Sequence, residues 1–338
     1  MTDKLLMEKS LDPAIRAVLP SGGQVLSVKK HGESHLNRFT GYKVKIGLKS
    51  EKIEYYLKVL DGPNHFEMAH GEFESQKELG KYIPDNVTSP LAYGPLERDS
   101  SSSFFLAKFL RLNSGAANSQ PLAEVLGRLH DSSASPTAKF GFHVTTYNGT
   151  VPLVNDWCDT WEEYFGRQLK SDIEYMHSIQ GPDPEFDEVA ERLFEKVIPR
   201  LLRPLESGGR SIKPVLVHGD VWPGNVKFDE ATQHVVLYGS CCCYGHSELD
   251  LAMMKDPPYR FKKEHSKSYE ALVPRSEPVK DYHDRNAIYA MRHDIINLCL
   301  YNKEVLDSKE QSPRDKILKE MKRLIKKYPN GIAGYEPK

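Results

Sequence analysis

Apolar and polar residues alternate over roughly the first hundred residues, which is the period of a half-buried strand. The segments GGQVLSVKKHG, GYKVKIGL and KIEYYLKVL carry this pattern, and glycines separate them. MAHGEFESQKELGKYI changes period and predicts a helix with Phe73, Leu79 and Ile83 on its apolar side. SSSFFLAKFLRL then reads as an apolar strand, and GAANSQP as a linker. Beyond Pro121 the helical period dominates. PLAEVLGRLHDSS presents Leu122, Val125, Leu126 and Leu129 on one face. The next helix, expected to be capped by Asp159, repeats Trp161, Phe165, Leu169, Ile173 and Met176 at helical spacing. FDEVAERLFEKVIPRLL predicts a helix interrupted near Pro199 and stopped by Gly208 and Gly209. Strands return in PVLVHG, NVKF and HVVLYG, with a turn through DEATQ. The last helix starts with Ser312 as N-cap, Pro313 at the first helical position and Asp315 in the capping-box position. Ile317, Leu318, Met321, Leu324 and Ile325 form its buried stripe, and its basic residues form a solvated face.

This order predicts an α+β, two-lobed enzyme. Residues 1–112 form a small β-rich N-terminal lobe and residues 113–338 a larger, mainly helical C-terminal lobe, with the site in the cleft between them. The 46 basic and 47 acidic residues leave a formal net charge of −1. That balance argues against nucleic acid or an anionic membrane as the main partner. No apolar run approaches the length of a membrane span, and the N-terminus has no secretory pattern. Five cysteines, three of them adjacent, do not make a disulfide framework, and a reducing cytoplasmic setting fits them best.

The chemistry concentrates in HGDVWPGN. A loop ending a strand can hold Asp220 against a substrate hydroxyl, and Asn225 can offer a carbonyl oxygen to a metal ion from the other side of the same cleft. Phosphoryl transfer asks little more of a protein than positioning and charge neutralisation. Cys241, Cys242 and Cys243 are adjacent, so their side chains alternate sides and do not converge on a metal. They read as small buried residues near the site. His130 reads as a satisfied structural histidine.

HGDVWPGN followed by YGHSELDLAMM resembles the fructosamine-3-kinase family, also called ketosamine-3-kinase or protein-ribulosamine 3-kinase, within the aminoglycoside phosphotransferase-like kinases. KFGFHVTTYNGTVPLVNDWCDTWEEYFGRQL looks like the family's middle signature, and YAMRHDIINLCLY with YPNG is similar to fungal-type members. The resemblance implies a protein-kinase-like fold, ATP and Mg2+ as cofactors, and phosphorylation of the 3-hydroxyl of a ketosamine. Glycated proteins or small ketosamines would be the substrates, deglycation the outcome, and a monomer the working form. It implies Asp220 as the catalytic group, Lys58 on the nucleotide phosphates and Glu72 pairing with Lys58. Gly32 and Ser34 would lie in the turn over the phosphates, and Asn225 would bind the metal and the nucleotide. Trp222, His246 and Glu248 would line the substrate cleft, with Asp250 bracing the catalytic loop.

One position departs from the family pattern. Relatives carry an aspartate before the YGH element as a magnesium ligand, and this chain has Gly239 there. A magnesium ion bridging phosphates wants hard anionic oxygens. Either Glu248 or another acid fills the gap, or the chain is a pseudokinase-like binding protein with weak or no phosphoryl transfer, or a single residue has changed in an active lineage.

Overall fold

The computed structural model of the chain describes residues 11–113, 117–254, 261–301 and 312–335. The linker expected over GAANSQP falls partly outside them. Helix α1 (Pro13–Val18) starts on Asp12, whose Oδ1 accepts the Ala14 N–H at 3.0 Å. Five antiparallel strands follow in the spatial order β1-β2-β3-β5-β4: β1 (Gln24–Ser34), β2 (Phe39–Leu48), β3 (Glu51–Asp61), β4 (Pro90–Pro95) and β5 (Ser102–Lys108). Alternation divides β3 between two layers. Tyr55, Leu57 and Val59 pack outward with Ile15 of α1, while Leu60 packs inward with Met68 and Ala69. Those two belong to α2 (His65–Tyr82), which begins three residues before the expected MAHGEF start. Tyr56 and Lys58 share the inward face of β3 with Leu60.

The chain then crosses through Phe109–Asn113. Helix α3 (Ser119–Ser132) is followed by a small ladder, β6 (Tyr147–Asn148) and β7 (Val151–Pro152). Helix α4 (Trp161–Gln180) buries Trp161, Phe165, Leu169, Ile173 and Met176, as their spacing predicts. Its cap is not Asp159. Thr160 takes that position, with Oγ1 accepting the Glu163 N–H at 3.2 Å. An N-cap oxygen accepts the amide of the second or third helical residue, and Thr160 stands where that residue is Glu163. Asp159 instead pairs with Lys139 at 2.8 Å. The interruption near Pro199 appears as α5 (Pro184–Arg192), a π-helical turn over Leu193–Val197, and α6 (Ile198–Leu202). Proline lacks the amide hydrogen that would bond back along the helix, and the wider turn upstream absorbs the mismatch.

The HGDVWPGN segment is held by two short pairings. β8 (Val215–Val217) pairs antiparallel with β11 (Cys243–Gly245), and β9 (Val226–Phe228) with β10 (Val235–Leu237). A 3-10 stretch, Ser247–Met254, leads on to α7 (Lys263–Glu270), α8 (Tyr282–Leu300) and α9 (Pro313–Lys327). In α9, Ser312 caps the helix and Ile317, Leu318, Met321, Leu324 and Ile325 are buried, as the stripe requires. Among the described residues no helix is long and apolar enough to cross a membrane.

Candidate active site

Asp220 stands just past the end of β8, in a loop whose backbone is fixed from behind. Asp250 Oδ2 accepts the His218 N–H at 2.8 Å and Oδ1 accepts the Gly219 N–H at 2.9 Å. His130 Nε2 lies 3.1 Å from Asp250 Oδ2, and its Nδ1 2.7 Å from the Tyr269 hydroxyl. Burial pulls the Asp250 carboxyl up, but the hydrogen bonds with His130 and the loop amide outweigh it and leave it below the ordinary range. His130 is thus a structural histidine. Asp250 lies inside the 3-10 stretch rather than at a helix start, and it braces the loop as expected.

Gly219 is required by geometry. Its φ is +84°, and a Cβ would lie 2.4 Å from the Cys241 carbonyl oxygen. His218 Nδ1 accepts the Asp220 N–H at 3.2 Å, so Nε2 carries the proton and donates to the Tyr238 carbonyl at 3.2 Å. Burial pulls the His218 ring down and keeps it neutral.

The Asp220 carboxylate meets two amides. Asn225 Nδ2 donates to Oδ2 at 2.6 Å, and Asn148 Nδ2 to Oδ1 at 3.4 Å. Burial raises its pKa to about 7, against the pull of Asn148, Asn225, the Trp222 side chain and the charge of Arg292. Asn148, from β6, was not singled out by the sequence, although its Asn-Gly step marks the hairpin turn. Arg292 gave no signal at all. It is buried in α8, donates from Nε to Asp172 Oδ2 at 2.7 Å, and among the described residues its Nη2 finds no acceptor.

Lys58 and Glu72 meet at 2.5 Å, strand to helix, and the Lys58 ammonium lies 4.5 Å from the centre of the Phe39 ring. Gly32 has a φ of +108° and open space around it. Ser34 Oγ accepts the Asn37 N–H at 3.1 Å, so it closes the turn between β1 and β2. That turn roofs a cavity of about 590 Å³ that also reaches Thr150 and Leu300 of the C-terminal lobe. Trp222 is 41% exposed beside Asp220, which excludes a core tryptophan and leaves a surface aromatic at the site's mouth.

Two expected cleft residues lie elsewhere. His246 is buried, with Nδ1 2.9 Å from the Tyr289 hydroxyl and Nε2 2.8 Å from Ser276 Oγ. Burial pushes its pKa down to about 4. Glu248 is held by Arg285 through two contacts of 2.9 Å and accepts the Ser276 N–H at 2.9 Å. Both tie α8 and the Ser276 segment to the 3-10 stretch. Their places in the substrate cleft are corrected to scaffold positions, because proximity in sequence does not fix which side of a turn faces solvent. Cys241, Cys242 and Cys243 are buried free thiols, and no group of three His, Cys, Asp or Glu side chains converges among the described residues.

Magnesium can be tested against these donors. Asn225 offers one neutral carbonyl oxygen, since its amide nitrogen is committed to Asp220. Gly239 offers no side chain, and its Cβ position lies 2.9 Å from Asn225 Oδ1. Glu248 is committed to Arg285, and Asp229 to the Arg111 N–H and to Thr232, at 3.2 and 2.9 Å. These residues do not fit a magnesium ion held by an asparagine–aspartate pair.

The family model "Fructosamine kinase" matches residues 31–320. The chain belongs to the fructosamine kinase family. A chloroplastic protein-ribulosamine 3-kinase of Oryza sativa subsp. indica is 26% identical over 247 residues, covering 72% of this chain and 66% of that protein, just under two thirds of its length. A solved structure from Thermobifida fusca, described as a fructosamine-3-kinase, superposes with a TM-score of 0.71 at 19% identity, covering 93% of this chain and 98% of its own. The aminoglycoside phosphotransferase APH(4)-Ia, solved with AMP-PNP and hygromycin B, gives a TM-score of 0.58 at 12% identity, over 92% of this chain and 97% of its own. These likenesses show the two-lobed, protein-kinase-like fold that the fructosamine kinase family shares with aminoglycoside phosphotransferases.

Proposed function

We propose that this fructosamine kinase family member transfers a phosphoryl group from ATP to the 3-hydroxyl of a ketosamine, a ribulosamine or fructosamine on a protein lysine or a small amine. The observation that carries the reading is the Asp220 carboxylate. It is held by Asn225 and Asn148, braced through Asp250, and tuned by burial to about 7. A carboxylate near neutrality accepts a hydroxyl proton and still lets it go. Lys58, aimed by Glu72, orients the nucleotide phosphates, with Gly32 and Ser34 in the turn above them. Trp222 offers an aromatic face to the sugar, a surface suited to the C–H side of a ketose. Release of the phosphorylated sugar would return the free amine.

Gly239 favours a second reading, a protein that binds nucleotide and ketosamine with weak or no transfer. One experiment separates the two. ADP release from ATP and a ribulosamine is measured for the parent, Asp220→Asn and Gly239→Asp. The kinase reading expects activity in the parent that Asp220→Asn removes. Activity only in Gly239→Asp establishes the binding reading, and no activity in any of the three overturns the kinase reading. Gly239 has a φ of +65° and its Cβ would lie 2.9 Å from Asn225 Oδ1, so Gly239→Asp carries about 1–2 kcal/mol of backbone strain and a contact to which the Asn225 side chain must yield, and it should melt a few degrees lower than the parent while still folding.

A further inference from the structure

Lys227 lies two residues past Asn225, in the middle of β9. Neighbouring strand residues face opposite ways, and Val226 enters the large C-terminal core, so Lys227 faces away from it. Lys227 pairs in register with Val236, and directly opposed residues share a face. Tyr238, two residues past Val236, extends that face. Val235 and Leu237 join the C-terminal core and Val236 does not. This second face looks towards the N-terminal lobe. Tyr238 interacts electrostatically with Tyr56, and Tyr56 shares its side of β3 with Lys58. Lys58 and Lys227 therefore stand on the roof and the floor of one cleft.

The two lysines differ in charge balance. Lys58 is neutralised within the fold by Glu72 at 2.5 Å. Lys227 is half-buried, and no carboxylate among the described residues pairs with it. A half-buried ammonium without a counter-charge is unfavourable until an anion arrives. Beside it, the carboxylate that would fix a metal is replaced by Gly239. A carboxylate with a divalent cation presents one net positive charge to a polyphosphate. Glycine with an ammonium presents the same.

We propose that this cleft binds a nucleoside di- or triphosphate without a divalent cation, Lys227 supplying the counter-charge, a claim that rests on the nucleotide-cleft reading above. The ammonium engages phosphate oxygens as a point charge on a flexible stem, and that contact needs no octahedral geometry. The predicted signature is an affinity that chelation leaves in place.

Isothermal titration of the full chain with ADP and with AMP-PNP, in magnesium chloride and in EDTA, tests this. The dissociation constants in the two buffers should agree within about threefold, and Lys227→Met should weaken binding in EDTA by about tenfold, the scale of one charge-assisted contact. Lys227→Arg keeps the charge and should restore it. Gly239→Asp, which returns a carboxylate, should make binding magnesium-dependent. Binding that disappears in EDTA, or a Lys227→Met variant that binds like the parent, overturns the proposal and leaves the nucleotide reading standing. No binding of either nucleotide in either buffer overturns both.

Discussion

Asp220 is a carboxyl whose surroundings work against its charge. Its pKa is raised from 3.8 to about 7, chiefly by burial, so the proton leaves only near neutrality. If it receives the substrate's proton, kcat/KM should rise with pH through a limb near 7. Asn148 donates to the ionised form, so Asn148→Ala should move that limb upward. Asp220→Asn should lower kcat by about a thousandfold, within the range for removing a general base. The stability effect has a definite sign. Below pH 3.8 the carboxyl is protonated both folded and unfolded. Between 3.8 and about 7 the unfolded chain gives up the proton while the native chain keeps it, so native stability falls as pH rises through that window. The melting temperature of Asp220→Asn relative to the parent should therefore climb across that window and level off above it. A flat difference across the same pH range would show that the carboxyl is not raised.

Short elements carry the site, and their ends matter more than their length. β8 has three residues, and the loop after it keeps its shape because Asp250 takes two of its amides. Asp250→Ala would leave both amides and His130 unanswered in the interior. A loss of about 3 kcal/mol is expected, read by denaturant unfolding, together with a fall in activity. Asp250→Asn keeps one acceptor and should lose less. The start of α4 separates two neighbouring candidates. Thr160→Ala should cost about 1 kcal/mol and Asp159→Ala much less, measured by the same unfolding curves, because only Thr160 holds the Glu163 amide. Equal losses would return the cap to Asp159.

Across the molecule, the C-terminal lobe is tied together by buried charge as well as by its apolar core. Arg292 of α8 meets Asp172 of α4, and Arg285 of α8 meets Glu248 of the 3-10 stretch. Removing one partner strands the other. Asp172→Ala should cost about 3–5 kcal/mol in chemical denaturation, and the pair Asp172→Leu with Arg292→Met should recover most of it. If the double variant is as unstable as the single one, the charges themselves are needed, among them the pull of Arg292 on the Asp220 carboxyl.

Period and motif, read along the chain, established the strand-rich lobe, the helical lobe, the buried stripes of α4 and α9, the HGDVWPGN loop and the absent carboxylate at Gly239. The lobes and stripes depend on residues close together in the chain, where spacing fixes the face, and the absent carboxylate on the resemblance to the family pattern. The tertiary structure decided the rest. It moved His246 and Glu248 from the cleft into the scaffold, chose Thr160 over Asp159, and brought Asn148 and Arg292 to Asp220. Those outcomes depend on which surfaces pack together over long separations in the chain. A side chain's neighbours, and hence its charge and its role, exist only once that packing has formed.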